Sequence, residues 1–339
     1  MRYALSLVVA ALLSVATTTV FAYGHTGHEV VGAIADQLLT PNAAKKVKEI
    51  AGISLLSAAK WPDCVKDVIR TKEGEFKYTA NPKYRTPCME FEPDGGVIRM
   101  EDYVKRNWDN CARGPKSDPC HKQYHYSDVA IEHDKYDRSY SGTSEHDIVS
   151  RINAAIAVLQ GKPAPAPFSI KDQKEALLML AHFVGDIHQP LHVGAVYIDG
   201  DDHLTNPDAP GMKLDPSTET RGGNSIDDGA TNLHAEWDAI PASIKPAKIS
   251  EKMLREAEAT EETTGDVASW PAAWATETLI ASREAFKGIT FTRESNKPGH
   301  WAAEFKNRRT YLTARNKMQR ELLAKAGARL ALVLNSIWP

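Results

Sequence analysis

Two histidine–aspartate pairs, His182/Asp186 and His234/Asp238, are each spaced four residues apart. On a helix that spacing puts both side chains on one face, one turn from each other. The first pair sits among Ala176, Leu177, Leu178, Leu180, Ala181, Phe183 and Val184, a segment apolar nearly all round and so expected to be buried. An ionised carboxylate there is costly unless a cation compensates it. A metal ion would do so; an Asp–His hydrogen-bonded pair is the alternative. The second pair, in Asn232-Leu-His-Ala-Glu-Trp-Asp238, repeats the pattern. Between them lies His188-Gln-Pro-Leu-His192, where Pro190 should end the helix and turn His192 out of register with His182, toward a different ion. His188 has no assigned partner and reads as a surface histidine or one supporting a ligand from behind.

Imidazole nitrogen with carboxylate oxygen, and no thiolate, suits zinc at a hydrolytic site with open coordination positions. Zinc lowers the pKa of a bound water to about 7, and further ions can neutralise a phosphate and its leaving oxygen. Several ions would also make the site locally positive. This matters because the formal charge is −3 and no basic surface excess is available to attract a polyanion. No G-x-S-x-G elbow and no glycine-rich phosphate loop occurs, which argues against a serine hydrolase or a P-loop enzyme. A glycosidase carboxylate pair would leave the histidines unexplained.

The elements that must carry these residues are mostly helical. His28 to Leu39 has Val31, Ile34, Ala35 and Leu38 at helical spacing, and Thr40-Pro41 offers a cap and first-turn proline for a helix through Ile50. Ser144, with Asp147 three residues on, opens a helix through Leu159; the stretch Gly161 to Pro167 separates it from the buried helix Asp172 to Asp186. A last helix, Thr310 to Ile337, carries Met318, Leu322, Ala326, Leu330, Val333 and Ile337 in one core-packing stripe. Gly96 to Met100 is a candidate short strand, while Lys66 to Gln123 and Tyr197 to Asn224 read as irregular. Such long loops are more often functional or disulfide-tied than idle. The expectation is an all-α fold, one large helical domain over residues 23–339.

Residues 1–22 read as an export signal: Arg2, an apolar run from Ala4 to Ala16, and Val20-Phe21-Ala22 before the expected cleavage point. The run is too short to be a convincing membrane span, so a periplasmic or secreted protein with no span after cleavage is expected. Removal leaves 317 of the 339 residues. The cysteines are Cys64, Cys88, Cys111 and Cys120; in an exported chain they predict two disulfides. Three pairings are open, and Cys111 with Cys120, closing a short Pro/Gly-containing loop, is preferred.

Seven strings then carry a resemblance: Tyr23-Gly-His-Thr-Gly-His28, Trp61-Pro-Asp63, His125-Tyr-Ser-Asp128, His182 through His192, Gly222-Gly-Asn224, Asn232 through Asp238, and Ala324-Lys-Ala-Gly-Ala-Arg-Leu330. In this order, across almost the whole mature chain, they resemble the zinc-dependent nucleases of fungi and plants, the S1/P1 type. That family shares its helical fold and trinuclear zinc site with the bacterial zinc phospholipases C. The resemblance implies three zinc ions: one on Asp63, His125, His182 and Asp186; a second, bridged by Asp186, on His28 and the new amino terminus at Tyr23; a third on His192, His234 and Asp238. The family usually has Trp where this chain has Tyr23; backbone atoms do the ligation, so the change bears on packing more than on binding.

By the same resemblance Asp63 orients the attacking hydroxide and Lys66 braces charge on phosphate, although a lone lysine is more often solvated. Tyr126 would stack on a base and Asp128 bond its edge, with a core-packed tyrosine as the alternative; Asn224 would contact phosphate, though its turn needs no function to explain it. The implied activity is cleavage of single-stranded DNA and RNA to 5′-phosphate products, together with removal of the phosphate from 3′-nucleotides. A monomer with no standing protein partner is expected. A zinc phospholipase C, whose third motif typically ends in Glu rather than Asp238, and a noncatalytic zinc-binding protein are the rivals. Lys66 to Gln123 is longer than the corresponding family segment and would remodel the substrate groove.

Overall fold

In a computed structural model of the protein, residues 23–82, 85–112 and 117–339 are described; the expected signal segment lies outside them. The fold is all-α with a few short strands. Three helices form its centre: Gly24–Leu38, Gln173–Asp186 and Arg308–Ile337. The first packs along the last, where Gly327 allows the approach. A Cβ there would stand 2.5 Å from that of Ile34, so any larger residue would push the helices apart.

The helix ends follow local chemistry. The Thr40 side chain accepts from the Ala43 amide and Pro41 fills the first turn of Pro41–Ala51. Asp172 accepts from the Glu175 amide to open Gln173–Asp186. The helix Ile148–Leu159 is capped by Asp147, which accepts from Ser150, so it starts three residues later than Ser144 suggested. Asn307 caps Arg308–Ile337, and Leu322, Ala326, Leu330 and Val333 of its stripe are buried.

One element corrects expectation. Gly96 to Met100 is not a strand but the first part of a helix, Gly96–Arg106, burying Met100, Tyr103 and Val104. The 3.6-residue period shows only when the window runs past Met100, and five residues cannot separate it from alternation. The long segment around it is accordingly less irregular than its composition suggests. It is tied by two disulfides, Cys64–Cys88 and the preferred Cys111–Cys120. Among the described residues no helix is long and apolar enough to cross a membrane.

A short parallel pairing matters for the site. Val129 and Ala130 lie beside Gly194 and Ala195, and the Ser127 amide donates to the His192 carbonyl at 2.8 Å. The segments carrying His125 and His192 are thus fastened side by side.

Candidate metal centre

The i, i+4 pair on the central helix meets two histidines from elsewhere. Asp186 Oδ2 lies 3.0 Å from His182 Nε2 and 2.8 Å from His125 Nδ1, while its Oδ1 lies 3.2 Å from His28 Nε2. Gly185 makes room for the last contact, since a Cβ there would press on the His28 ring at 2.9 Å. The rings of His28 and His182 stack with centroids 3.6 Å apart. Asp63, on the helical turn Trp61–Cys64, reaches the same cluster, 3.8 Å from His182 Nε2. All five residues are buried.

A second convergence is built by Pro190–His192 and Leu233–Asp238. His192 Nε2 and His234 Nε2 are 3.1 Å apart, and Asp238 lies 3.8 Å from the first and 3.7 Å from the second. The central helix ends at Asp186, four residues before the proline; Pro190 instead opens a 3-10 turn capped by the Gln189 side chain. Asn232 caps the other helix by accepting from Ala235. Gly222 has a φ of +56° and no space for a Cβ, which would meet the Leu191 carbonyl at 2.3 Å; its own carbonyl holds His234.

The protons on the rings are fixed by their far sides. His182 Nδ1 donates to the Ala59 carbonyl at 2.7 Å, His192 Nδ1 to the His125 carbonyl at 2.7 Å, and His234 Nδ1 to the Gly222 carbonyl at 2.8 Å. A carbonyl can only accept, so Nδ1 carries the hydrogen and a neutral ring turns a lone pair inward from Nε2. Burial lowers the pKa of His28, His125 and His192, and takes His234 down to about 3. Neutral rings whose other nitrogen is tied to a carbonyl are what metal ligation requires.

Three buried carboxylates therefore face mostly neutral imidazoles. Burial pushes the Asp238 carboxyl well above the usual carboxylate range. For Asp63 burial acts in the same sense, but Lys66 and then His182 outweigh it and hold the group low. Asp63 Oδ2 and Asp238 Oδ2 have no hydrogen-bond partner among the described residues. Inward lone pairs, orphaned carboxylate oxygens and excess negative charge fit bound cations, and the residues fall into three groups able to hold an ion: His28/Asp63/His182, His125/His182/Asp186 and His192/His234/Asp238. The first two share His182 and form one joined cluster.

Of the remaining expected residues, Lys66 is 11% exposed and donates to Asp63 Oδ1 at 2.8 Å, so it is not a solvated lysine. The backbone nitrogen of Tyr23 donates to Asp238 Oδ1 at 3.0 Å; it lies on the side of the third group, whereas the resemblance put it with His28. Tyr126 and Asp128 are half-buried, so Tyr126 is not a packed core tyrosine. Burial, then Glu219, raises the Asp128 carboxyl to about 7 against the pull of Arg221. Asn224 is set apart: its amide donates to the Arg221 carbonyl of its own turn at 3.0 Å. His188 is not on the surface. It is fully buried, donates from Nδ1 to the Val184 carbonyl and accepts from Arg329.

Two residues escaped the sequence reading. His25 lies 4.0 Å from Asp63 Oδ2 and is 7% exposed; its one signal was a second histidine, besides His28, in the Tyr23–His28 string. Gln189 donates to Asp238 Oδ1 at 2.9 Å, a contact no spacing announces.

Comparison with known proteins agrees with this geometry. Endonuclease 4 of Arabidopsis thaliana is 24% identical over 334 residues, covering 93% of this chain and 89% of that protein. Endonuclease 2 of the same plant is 25% identical over 358 residues, covering 98% and 96%. Endonuclease 1 is 28% identical over 185 residues, about half of each chain. The S1/P1 Nuclease pattern matches residues 23–107 and 102–339. With nearly all of residues 23–339 matched by the pattern of a metal-dependent nuclease family, and with His/Asp groups in place to hold metal, the chain belongs to the S1/P1 nucleases.

Proposed function

We propose that this nuclease is a zinc enzyme, loaded with three ions, that hydrolyses single-stranded DNA and RNA to 5′-phosphate products, and 3′-nucleotides to nucleoside and phosphate, outside the cytoplasm. The observation that carries the reading is the convergence of three His/Asp groups around inward-facing lone pairs, with nitrogen and oxygen donors alone, a donor set suited to catalytic zinc.

When bound, the ions would supply a hydroxide nucleophile at neutral pH and positive charge for the phosphate. His28, His125, His182 and Asp186 would hold the joined cluster with Asp63, and His192, His234 and Asp238 the third ion. Asp63, fixed by Lys66 at 2.8 Å, orients the nucleophile, and the Lys66 ammonium stands beside it to meet charge developing on phosphate. Tyr126 offers a ring for a base to stack on, and stacking requires that the base be unpaired. Asp128, protonated below about 7, donates to the base edge.

The two disulfides suit an oxidising compartment, as does an export signal ending at Ala22. Cleavage there would free the Tyr23 nitrogen where it already lies within reach of Asp238. The test is hydrolysis of single- and double-stranded DNA, RNA, 3′-mononucleotides and phosphatidylcholine, each with and without chelator, beside metal analysis of the processed protein. Loss of single-strand cleavage on chelation and its return with zinc is expected. Hydrolysis of lipid alone, or full activity in chelator, refutes the reading.

A further inference from the structure

We infer that Gln189 is the positioning residue of the His192/His234/Asp238 ion, one side chain setting two of its three ligands. The inference rests on the metal reading above. Gln189 is fully buried and both ends of its amide are used. Its Nε2 donates to Asp238 Oδ1 at 2.9 Å, and its Oε1 accepts from the Leu191 amide, capping the turn Pro190–His192 that carries His192. The partners leave no freedom in the amide's orientation: a backbone N–H must meet the oxygen and a carboxylate the nitrogen.

The consequence for Asp238 is directional. Its Oδ1 already takes two N–H donors, from Gln189 and from the Tyr23 backbone, whereas its buried Oδ2 has none among the described residues. Oδ2, 3.7 Å from His234 Nε2, therefore keeps its lone pairs for an ion, while Oδ1, 3.8 Å from His192 Nε2, is committed to the two donors. Without Gln189 the carboxylate can rotate toward the Tyr23 backbone, and the His192 turn loses its cap. The third ligand, His234, is held independently by the Gly222 carbonyl, and Gln189 meets the joined cluster only through its backbone amide, which donates to the Asp186 carbonyl and survives a side-chain change. The effect is therefore confined to one ion.

The test is zinc binding by the processed protein in a series of chelator-buffered free zinc concentrations, with metal counted by atomic emission and folding followed by circular dichroism. Two variants are used. Q189M removes both polar contacts at similar length; Q189E keeps an acceptor for Leu191 but faces Asp238 with an oxygen. In both, one ion is expected to bind 10–100-fold more weakly, the usual cost of losing a group that orients a ligand, while the others titrate as in wild type. Equal weakening of all ions, wild-type binding throughout, or failure of both variants to fold overturns the inference. Absence of zinc from the wild type itself would instead refute the reading of the site, independently of what the variants do.

Discussion

Replacing Asp186 by Asn keeps the shape of the side chain and removes the one charge that touches three imidazoles, at 2.8, 3.0 and 3.2 Å. On the three-ion reading the joined cluster would lose both its ions. The third would remain, because His192, His234 and Asp238 meet one another without Asp186, whose nearest approach to His192 is 3.9 Å. An ion at a thousand times its dissociation constant stabilises the folded state by about 4 kcal/mol. Two such ions amount to about 8 kcal/mol, and at about 1.5 °C per kcal/mol for a chain of this size the melting temperature should fall by about 12 °C in excess zinc. In chelator the deficit should shrink, because only the contacts of Asp186 with His182, His28 and His125, which against burial hold its carboxyl well below the usual carboxylate range, are then lost. Scanning calorimetry of both proteins, with zinc and with chelator, reads all four values. A wild-type melting temperature unmoved by chelator, or a D186N deficit equal in both conditions, would refute the argument.

Alanine at His182 should abolish hydrolysis and lower zinc content, whereas alanine at His133, which pairs with Asp208, or at His300 should do neither; equal effects in a paired activity and metal assay would count against the ligand assignment. Lys66→Met should lower kcat by about 10²–10³-fold, the scale of a lost charge-stabilising donor, with zinc content unchanged, and loss of metal in parallel would make Lys66 a structural residue. The Asp128 carboxyl titrates at about 7 when folded against an ordinary 3.8, so between those values the folded state keeps a proton that the unfolded chain has released. Its contribution is fully present below about pH 4 and lost as pH rises through 7, and kcat/KM for single strands should fall only as pH rises through about 7, where the folded group loses its proton. Asp128→Asn should flatten that limb of the pH profile; an unchanged limb would show that another group sets it.

Much of the site was legible because its signals are local. The His182/Asp186 and His234/Asp238 spacings, the caps at Thr40 and Asp172, and an apolar run that could not bury a lone carboxylate are all properties of neighbours along the chain. Periodicity and desolvation turn these into helices and a demand for cations. The resemblance then supplied His28, Asp63 and His125, which no spacing joins to the central helix.

Tertiary structure decided everything that depends on which distant groups meet. The Tyr23 nitrogen and Asp238 are 215 residues apart in sequence, and Gln189 reaches Asp238 across 49; nothing in either neighbourhood encodes the partner. His188 could be read as a surface residue because the groups that meet its ring, Trp274 and Arg329, lie far along the chain, and Gly96–Arg106 could be read as a strand because its apolar face shows itself only against a core. By itself the sequence determined the donor types and most of the helices that carry them, since both are set within a few turns of chain. Which oxygen of each carboxylate is left facing inward was decided only by packing, because that depends on where distant N–H donors come to rest.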